Sequence, residues 1–217
     1  MTRTSFSLIA CVLAAAAAPA FALPIPYNHV GTVAPTTSVI ATGGSLDLYF
    51  YGSSAADNDN IIVTDVTSGW SSGAILGNHS TAVGTPYTFS PGSYSISAGD
   101  VIEFELVNLA TGKTYSSIPT DSADGYNHAY MTAYPATGPS AVAGIPAGEF
   151  VGFEDLYIGT TNGTTCGGSN NKSDCDYNDD EFVFVQTSPT PEPGSLALLG
   201  SSVLGAAGLL RRRFKQR

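Results

Sequence analysis

The sequence predicts an all-β protein whose main domain is an antiparallel β-sandwich of the jelly-roll kind. Three observations support this: short apolar runs, alternation of apolar and polar residues within them, and frequent breaks at Gly, Pro, Asn, Asp and Ser. The clearest alternation places Ile102, Phe104 and Leu106 on one face of a strand and Glu103 and Glu105 on the other. Helical periodicity is scarce in this region, which argues against a helix bundle.

The predicted strands follow one another at short intervals. In chain order they span residues 46–51, 61–66, 87–89, 94–96, 101–107, 114–117, 128–134, 150–158 and 181–185. Their β-branched and aromatic residues favour extended backbone. Turns separate the strands, including the stretch DNDN at residues 57–60 and the segment around Asp121 and Asp124. Both acidic turns are minor candidates for calcium loops, and an ordinary turn is the default interpretation.

The N-terminal residues have the three parts of a secretory signal peptide. Arg3 supplies a positive charge, residues 6–18 are apolar, and small residues precede a cleavage point between Ala22 and Leu23. We therefore expect residues 1–22 to form a signal helix that is removed on export. A retained membrane anchor is the alternative, and the shortness of the apolar run argues against it.

The C-terminal end follows the main domain at residues 23–188 and also has three parts. Residues 189–193 form a Pro-rich linker, residues 194–210 carry no charge, and residues 211–217 include five basic side chains. An uncharged helix of that length spans roughly 25 Å, at the short end for a membrane helix. We expect a transmembrane helix with a cytoplasmic basic tail, since positive charges stay on the cytoplasmic side.

The order of these C-terminal parts resembles a PEP-CTERM sorting signal, which occurs in Gram-negative bacteria. The matching residues are Pro191, Glu192, Pro193, Arg211, Arg212 and Arg213. The resemblance implies processing by an exosortase, a membrane transpeptidase-like enzyme that cuts near the PEP motif. It also implies a precursor held in the inner membrane by its C-terminal helix and then delivered to the surface or the medium, often in bacteria that make exopolysaccharide. An ordinary C-terminal membrane anchor is the alternative.

Charge is distributed unevenly along the chain. All 18 acidic residues lie between Leu23 and Pro193, where Lys113 and Lys172 are the basic residues. This imbalance argues against binding of nucleic acid, whose phosphates attract basic surfaces. It is compatible with divalent cations or with a solvated acidic surface.

The stretch SDCDYNDDEFVFV, residues 173–185, concentrates oxygen ligands before a strand. Asp174, Asp176, Asn178 and Asp179 offer the hard oxygens that Ca²⁺ prefers. The stretch is not an EF-hand loop, because its sixth position is Asp179 instead of Gly and its twelfth position is Val185 instead of Glu. Further ligands must come from elsewhere in the fold.

The second half of the predicted site is Glu154 and Asp155, which interrupt the apolar run at residues 150–158. If this run pairs with the strand at 181–185, the two acidic stretches meet. The sequences VGFEDL and SDCDYNDDEFVFV together resemble the C-terminal part of the DUF4114 family. That resemblance implies a β-sandwich and no established activity. Calcium is predicted from ligand chemistry, and hydrogen bonds that hold a turn are the alternative.

The two cysteines outside the signal peptide are expected to form a disulfide. Cys166 and Cys175 are an even pair in an exported protein. Their bond would close the Gly- and Asn-rich loop between the two acidic stretches. A Cys-containing metal site is the alternative, and the absence of a nearby His argues against it.

Three functions are compatible with these features. The first is a non-enzymatic surface or matrix protein stabilised by Ca²⁺. The second is a carbohydrate-binding or adhesin module that uses Trp70 and Tyr residues to bind exopolysaccharide or other surface glycans. The third is a hydrolase that uses two carboxylates, such as Glu149 and Glu154. We expect no enzymatic activity, because the sequence does not place two carboxylates in a cleft.

Overall fold

The structure is a computed structural model that describes residues 25–89, 96–159, 165–167 and 172–187. The predicted signal peptide at 1–22, the linker and membrane helix at 189–210 and the basic tail lie outside the described residues. Within the described part, no helix has the length and hydropathy needed to cross a membrane.

The described part is all-β, as the sequence predicts, and its one helical turn is a 3₁₀ turn at Pro119–Asp121. The strands are β1 (Val39–Ser53), β2 (Asp59–Asp65), β3 (Trp70–Ser71), β4 (Pro86–Thr88), β5 (Ile96–Asn108), β6 (Lys113–Ser116), β7 (Ala129–Tyr134), β8 (Gly148–Phe153) and β9 (Asp180–Thr187).

The strands form one open antiparallel sheet with the order β3-β2-β5-β1-β9-β8-β7. Strand β4 also pairs with β1, and β6 with β5. The long strand β1 joins the two halves, because its first part pairs with β5 and its second part with β9. The change of partner falls at Gly43 and Gly44, whose φ angles of +81° and +94° suit glycine. The predicted sandwich of two separate sheets stays a prediction.

Side chains from both halves of the sheet share one hydrophobic core. Leu48 of β1, Ile61 of β2 and Phe104 of β5 are fully buried in it. Phe184 of β9 packs edge to face against Phe104, with ring centroids 5.1 Å apart. A smaller cluster around Phe150 covers the opposite face of β8 and β9. Strand β9 is therefore buried on both sides.

Alternation along β9 decides where its two acidic residues point. Phe182 and Phe184 belong to the main core, whereas Val183 belongs to the cluster on the opposite face. Successive side chains of a strand point to opposite faces, so Asp180 lies on the side of the main core and Glu181 on the other side.

The predicted strand at residues 150–158 is too long at its C-terminal end. Strand β8 ends at Phe153, and residues 154–159 follow as a loop. The backbone N–H of Glu154 donates to the carbonyl of His128, while that of Asp155 donates to the side chain of Asp179. The backbone thus leaves the ladder between β8 and β9 at the first acidic residue.

Candidate functional site

The sheet register brings the two acidic stretches together. Strands β8 and β9 are antiparallel, and Phe153 at the end of β8 pairs with Asp180 at the start of β9. Residues that follow β8 must therefore lie beside residues that precede β9. The predicted pairing of these two runs is confirmed.

The first acidic group consists of Glu154, Asp174 and Asp176. One carboxylate oxygen from each lies within 4.8 Å of the others, close enough to coordinate one cation. Glu154 is fully buried, Asp176 is half-buried and Asp174 is exposed. Three of the six predicted ligands thus meet in one place, open to solvent at one side.

Glu154 is also held by local hydrogen bonds. The Ser173 hydroxyl and the Tyr177 backbone N–H each donate to one of its two oxygens. Burial, followed by the nearby charge of Asp179, raises the pKa of Glu154 to about 8. A positive ion beside this carboxyl would reverse that shift.

The loop before β9 adopts an unusual backbone that places Asp176. Cys175 and Tyr177, on either side of it, have φ angles of +54° and +57°, which non-glycine residues seldom adopt. The fully buried Cys175 is bonded to Cys166 by the disulfide, with Cα atoms 6.0 Å apart. The loop lies directly on β8, because a Cβ at Gly152 would overlap the Tyr177 carbonyl oxygen.

Tyr177 anchors the same loop to the N-terminal segment. Its hydroxyl accepts a hydrogen bond of 2.7 Å from the Ala34 N–H and donates one of 3.1 Å to the Asn127 carbonyl. The ring is buried against Tyr27, 5.0 Å away. Tyr177 thus fixes the position of the neighbouring Asp176 by contacts with the N-terminal segment and with the segment around Asn127.

Asn178 contacts the first group through its amide donors. Its backbone N–H and its Nδ2 each donate to a carboxylate oxygen of Asp176. Its own Oδ1 accepts from the Ser54 hydroxyl. In this arrangement Asn178 orients Asp176, and its carbonyl oxygen faces away from the group.

The remaining predicted ligands, Asp155 and Asp179, belong to a second acidic group. Asp155 is 3% exposed, and its N–H donates to Asp179 Oδ2 at 3.1 Å. This pair lies beside Asp59 at the start of β2 and Asp180 at the start of β9, which are 1% and 0% exposed. The six predicted ligands are thus divided between two places.

The second group is crowded with like charges. The carboxyl groups of Asp59 and Asp180 share a hydrogen bond, and the Asn78 amide donates to both, at 3.1 and 3.4 Å. Burial and neighbouring carboxylates raise the pKa of Asp180 to about 9 and that of Asp179 to about 8. Burial and like charge therefore disfavour ionisation of all four carboxyl groups together.

A cleft of about 600 Å³ opens beside the second group. Its lining includes Asp57, Asp155, Asp179, Lys113, Tyr115 and Tyr157. The Asn108 amide donates to Asp57 at 2.9 Å and to the Asp155 carbonyl at 3.0 Å, which connects β5 to this wall. The cleft gives solvent and small ions a path to the carboxylates.

Three acidic residues at these groups were absent from the sequence-based ligand set: Asp59, Asp180 and Glu181. Asp59 belongs to the stretch DNDN, which the sequence offered only as a minor calcium loop. Glu181 is buried on the face opposite to Asp180, and burial and the charge of Asp176 raise its pKa to about 8. The alternation of β9 could have indicated that Asp180 and Glu181 point to opposite faces of the sheet.

The other acidic turn has a structural explanation. Asp124 accepts hydrogen bonds from His128 Nε2 at 3.0 Å and from the Ile158 N–H at 2.8 Å. Its carboxylate is therefore engaged by hydrogen bonds to His128 and to the loop at Ile158. Asp121 lies in the 3₁₀ turn and is exposed.

The carboxylate pair suggested for a hydrolase lies at opposite ends of β8. Glu149 lies near the start of β8, and Glu154 follows its end. Five residues of extended chain separate the backbones of Glu149 and Glu154 by roughly 16 Å. The two catalytic carboxyl groups of glycoside hydrolases lie roughly 5–9.5 Å apart.

The aromatic residues suggested for sugar stacking pack wholly or partly against the hydrophobic clusters. Tyr51 and Tyr134 are buried and meet edge to face, 5.7 Å apart. Trp70 packs against Phe89 at 5.5 Å. Tyr157, which lines the cleft, is half exposed.

Comparison with known proteins identifies the C-terminal segment. Residues 189–213 match the family described as the PEP-CTERM protein-sorting motif. The motif indicates an exosortase-sorted extracellular or surface protein, made as a secreted, membrane-anchored precursor in a Gram-negative bacterium. No curated protein and no solved structure matched the chain. The resemblance to DUF4114 gains no support from these comparisons and stays a prediction.

Proposed function

We propose that the chain is a non-enzymatic surface or matrix protein whose β domain is stabilised by Ca²⁺ at Glu154, Asp174 and Asp176. The observation that carries the proposal is the approach of three carboxylate oxygens to within 4.8 Å of one another. Such a group is repulsive when empty, and a divalent cation relieves the repulsion.

Calcium fits this group better than zinc. Its ligands are oxygens, whereas zinc sites usually include His or Cys, and the one Cys nearby is in the disulfide. Sorting to the outside of the cell also supports calcium, because extracellular modules bind Ca²⁺ at about 10⁻⁴–10⁻³ M.

The proposed role of the cation is structural. It would join the end of β8, through Glu154, to the loop that carries Asp174 and Asp176. That loop already contacts the N-terminal segment through Tyr177. The cation would thus complete a clasp between three parts of the chain, and the domain would be most stable once exported.

A carbohydrate-binding module remains the second candidate. Tyr157 is 50% exposed and lines the cleft together with Asp155. An exposed aromatic ring beside carboxylates suits stacking against a sugar. Exopolysaccharide or another surface glycan would be the partner in that case.

Thermal unfolding of the full-length protein in detergent tests the proposed function. At Ca²⁺ a hundredfold above Kd we expect a stabilisation of about 2.7 kcal/mol, and hence a rise of about 5–10 °C in Tm relative to chelator. Asp176→Asn should reduce this rise, because it removes one charged ligand without changing shape.

Asp121→Asn is the control, because it removes an equal charge at an exposed position outside both groups. It should keep the full rise in Tm. The proposal is contradicted if the wild type and Asp176→Asn respond equally to Ca²⁺, or if neither responds.

A further inference from the structure

The second acidic group has buried oxygens that the protein itself does not satisfy. Asp59, Asp155 and Asp180 each have one carboxylate oxygen, Oδ1, that is buried and has no hydrogen-bond partner among the described residues. All three side chains are at least nine-tenths buried. A buried carboxylate oxygen without a donor or a cation is costly, so three in one place require an explanation.

Local donors are too few to satisfy the group. The Asn78 amide nitrogen contacts Asp59 Oδ2, Asp180 Oδ2 and the Asp57 carbonyl, and it has two hydrogens to offer. His128 bonds Asp124 at 3.0 Å, outside this group. Lys113 is the basic residue that lines the adjoining cleft.

We propose that Asp59, Asp155 and Asp180 bind a second divalent cation, Ca²⁺, with Asp57 and Asp179 at its edge. Hard oxygens are the ligands that Ca²⁺ takes, six to eight at a time, and water would supply the rest. The cleft that reaches Asp155 and Asp179 provides the entry path.

The carboxylate oxygens of the second group are more widely spaced than those of the first group. Among the described residues, the set with oxygens within 4.8 Å of one another is Glu154, Asp174 and Asp176. A bound cation would draw these carboxylates inward.

The second cation would connect different parts of the fold from the first. Asp59 begins β2, in the half of the sheet built around β5. Asp180 begins β9, and Asp155 follows the end of β8 that pairs with it. A cation between them would fasten the two halves together at one end of the shared core. The first group instead joins β8 to its own neighbouring loop, so the two sites use separate sets of ligands.

Calcium titration of the full-length protein by isothermal calorimetry tests this inference. We expect two Ca²⁺ per wild-type chain, one for Asp59→Asn and one for Asp176→Asn. Asp180→Asn provides a second variant of the new site with the same expectation as Asp59→Asn. Both amides keep the shape of the carboxyl and relieve repulsion, so the cation-free forms should melt at or above the temperature of the wild type.

Asp47→Asn is a matched control. Asp47 also has a buried oxygen without a partner among the described residues, but it pairs with Val185, far along β9 from Asp180. Asp47→Asn should still bind two Ca²⁺.

The titration has three further outcomes. If folded Asp59→Asn and folded Asp180→Asn each bind two Ca²⁺, the second site is overturned. One ion in the wild type, lost in Asp176→Asn, would overturn it while leaving the proposed function standing. Two ions in Asp176→Asn and one in Asp59→Asn would support the second site and contradict the first.

Discussion

Buried carboxylates at three positions illustrate how surroundings decide the role of one residue type. Glu154 has local donors for both oxygens and two more carboxylates at hand. Asp180 has a carboxyl partner and one oxygen without a donor among the described residues. Glu103 is buried outside both acidic groups, and the Ser116 hydroxyl donates to it at 2.5 Å. The first two suit a cation, whereas the third needs only its hydrogen bond.

The sequence predicts that Glu103 lies on the face of its strand opposite to Phe104. It is 5% exposed, since Ser116 of β6 and the chain beyond it cover that face of β5. Burial, together with the charges of Glu105 and Asp121, raises the pKa of Glu103 to about 6. The protonated form therefore favours folding below the unfolded-state pKa, and this contribution is lost as pH rises towards 6.

Glu103→Gln should remove that pH dependence. At pH 4 the variant should resemble the wild type, and at pH 7.5 it should gain about 1 kcal/mol relative to it, a figure reduced for partial solvent screening. Denaturant unfolding of both proteins at the two pH values measures this, because other titrating groups cancel in the difference. A difference that is equal at both pH values would contradict the assignment.

The disulfide loop is the element that most directly supports the first site. Cys175 is fully buried and lies between Asp174 and Asp176, so its bond to Cys166 restricts the chain that carries both ligands. A closed loop of about ten residues contributes about 2–3 kcal/mol in the chain-entropy model.

Cys166→Ser should therefore lower Tm by about 5–10 °C and weaken Ca²⁺ binding at the first site. Thermal unfolding and calcium titration of the variant measure both effects. Reductant provides the control: it should lower the Tm of the wild type and leave that of Cys166→Ser unchanged. A wild type that is indifferent to reductant, with Ca²⁺ binding intact in the variant, would contradict this role.

At the scale of elements, the sequence was sufficient for the all-β class and for the pairing of β8 with β9. Alternation and turn residues are local, so they can be recognised without a structure. The end of β8 was not predictable in the same way, since apolar residues continue to Ile158. There the Tyr177 N–H donates to the Glu154 side chain, and the Asp155 N–H donates to the Asp179 side chain. These bonds replace the backbone pairing between β8 and β9.

At the scale of the whole molecule, the division of the acidic residues depends on distant contacts. Asp59 and Asp155 meet because β2 and β8 lie in opposite halves of a sheet that shares one core. No local pattern specifies that arrangement. The PEP-CTERM motif, in contrast, is contiguous, and for that reason the sequence alone identified it.

The sorting motif and the acidic composition of the chain both favour binding of divalent cations outside the cell. The sorting motif indicates a protein that works outside the cell, where divalent cations are available, and residues 23–193 contain 18 acidic residues and two lysines. Two cations at one end of the sheet would offset part of that excess where it is most concentrated. They would also connect the start of β2, the end of β8 and the loop before β9, which lie at the edge of the hydrophobic core.

Anomalous diffraction from crystals grown with Ca²⁺ tests this central claim most directly. We predict one peak at about 2.3–2.6 Å from oxygens of Glu154, Asp174 and Asp176, and a second peak at that distance from Asp59, Asp155 and Asp180. The carboxylates of the second group should move closer together than they are without the cation. Crystals that contain Ca²⁺ but show no peak at either group would contradict the account.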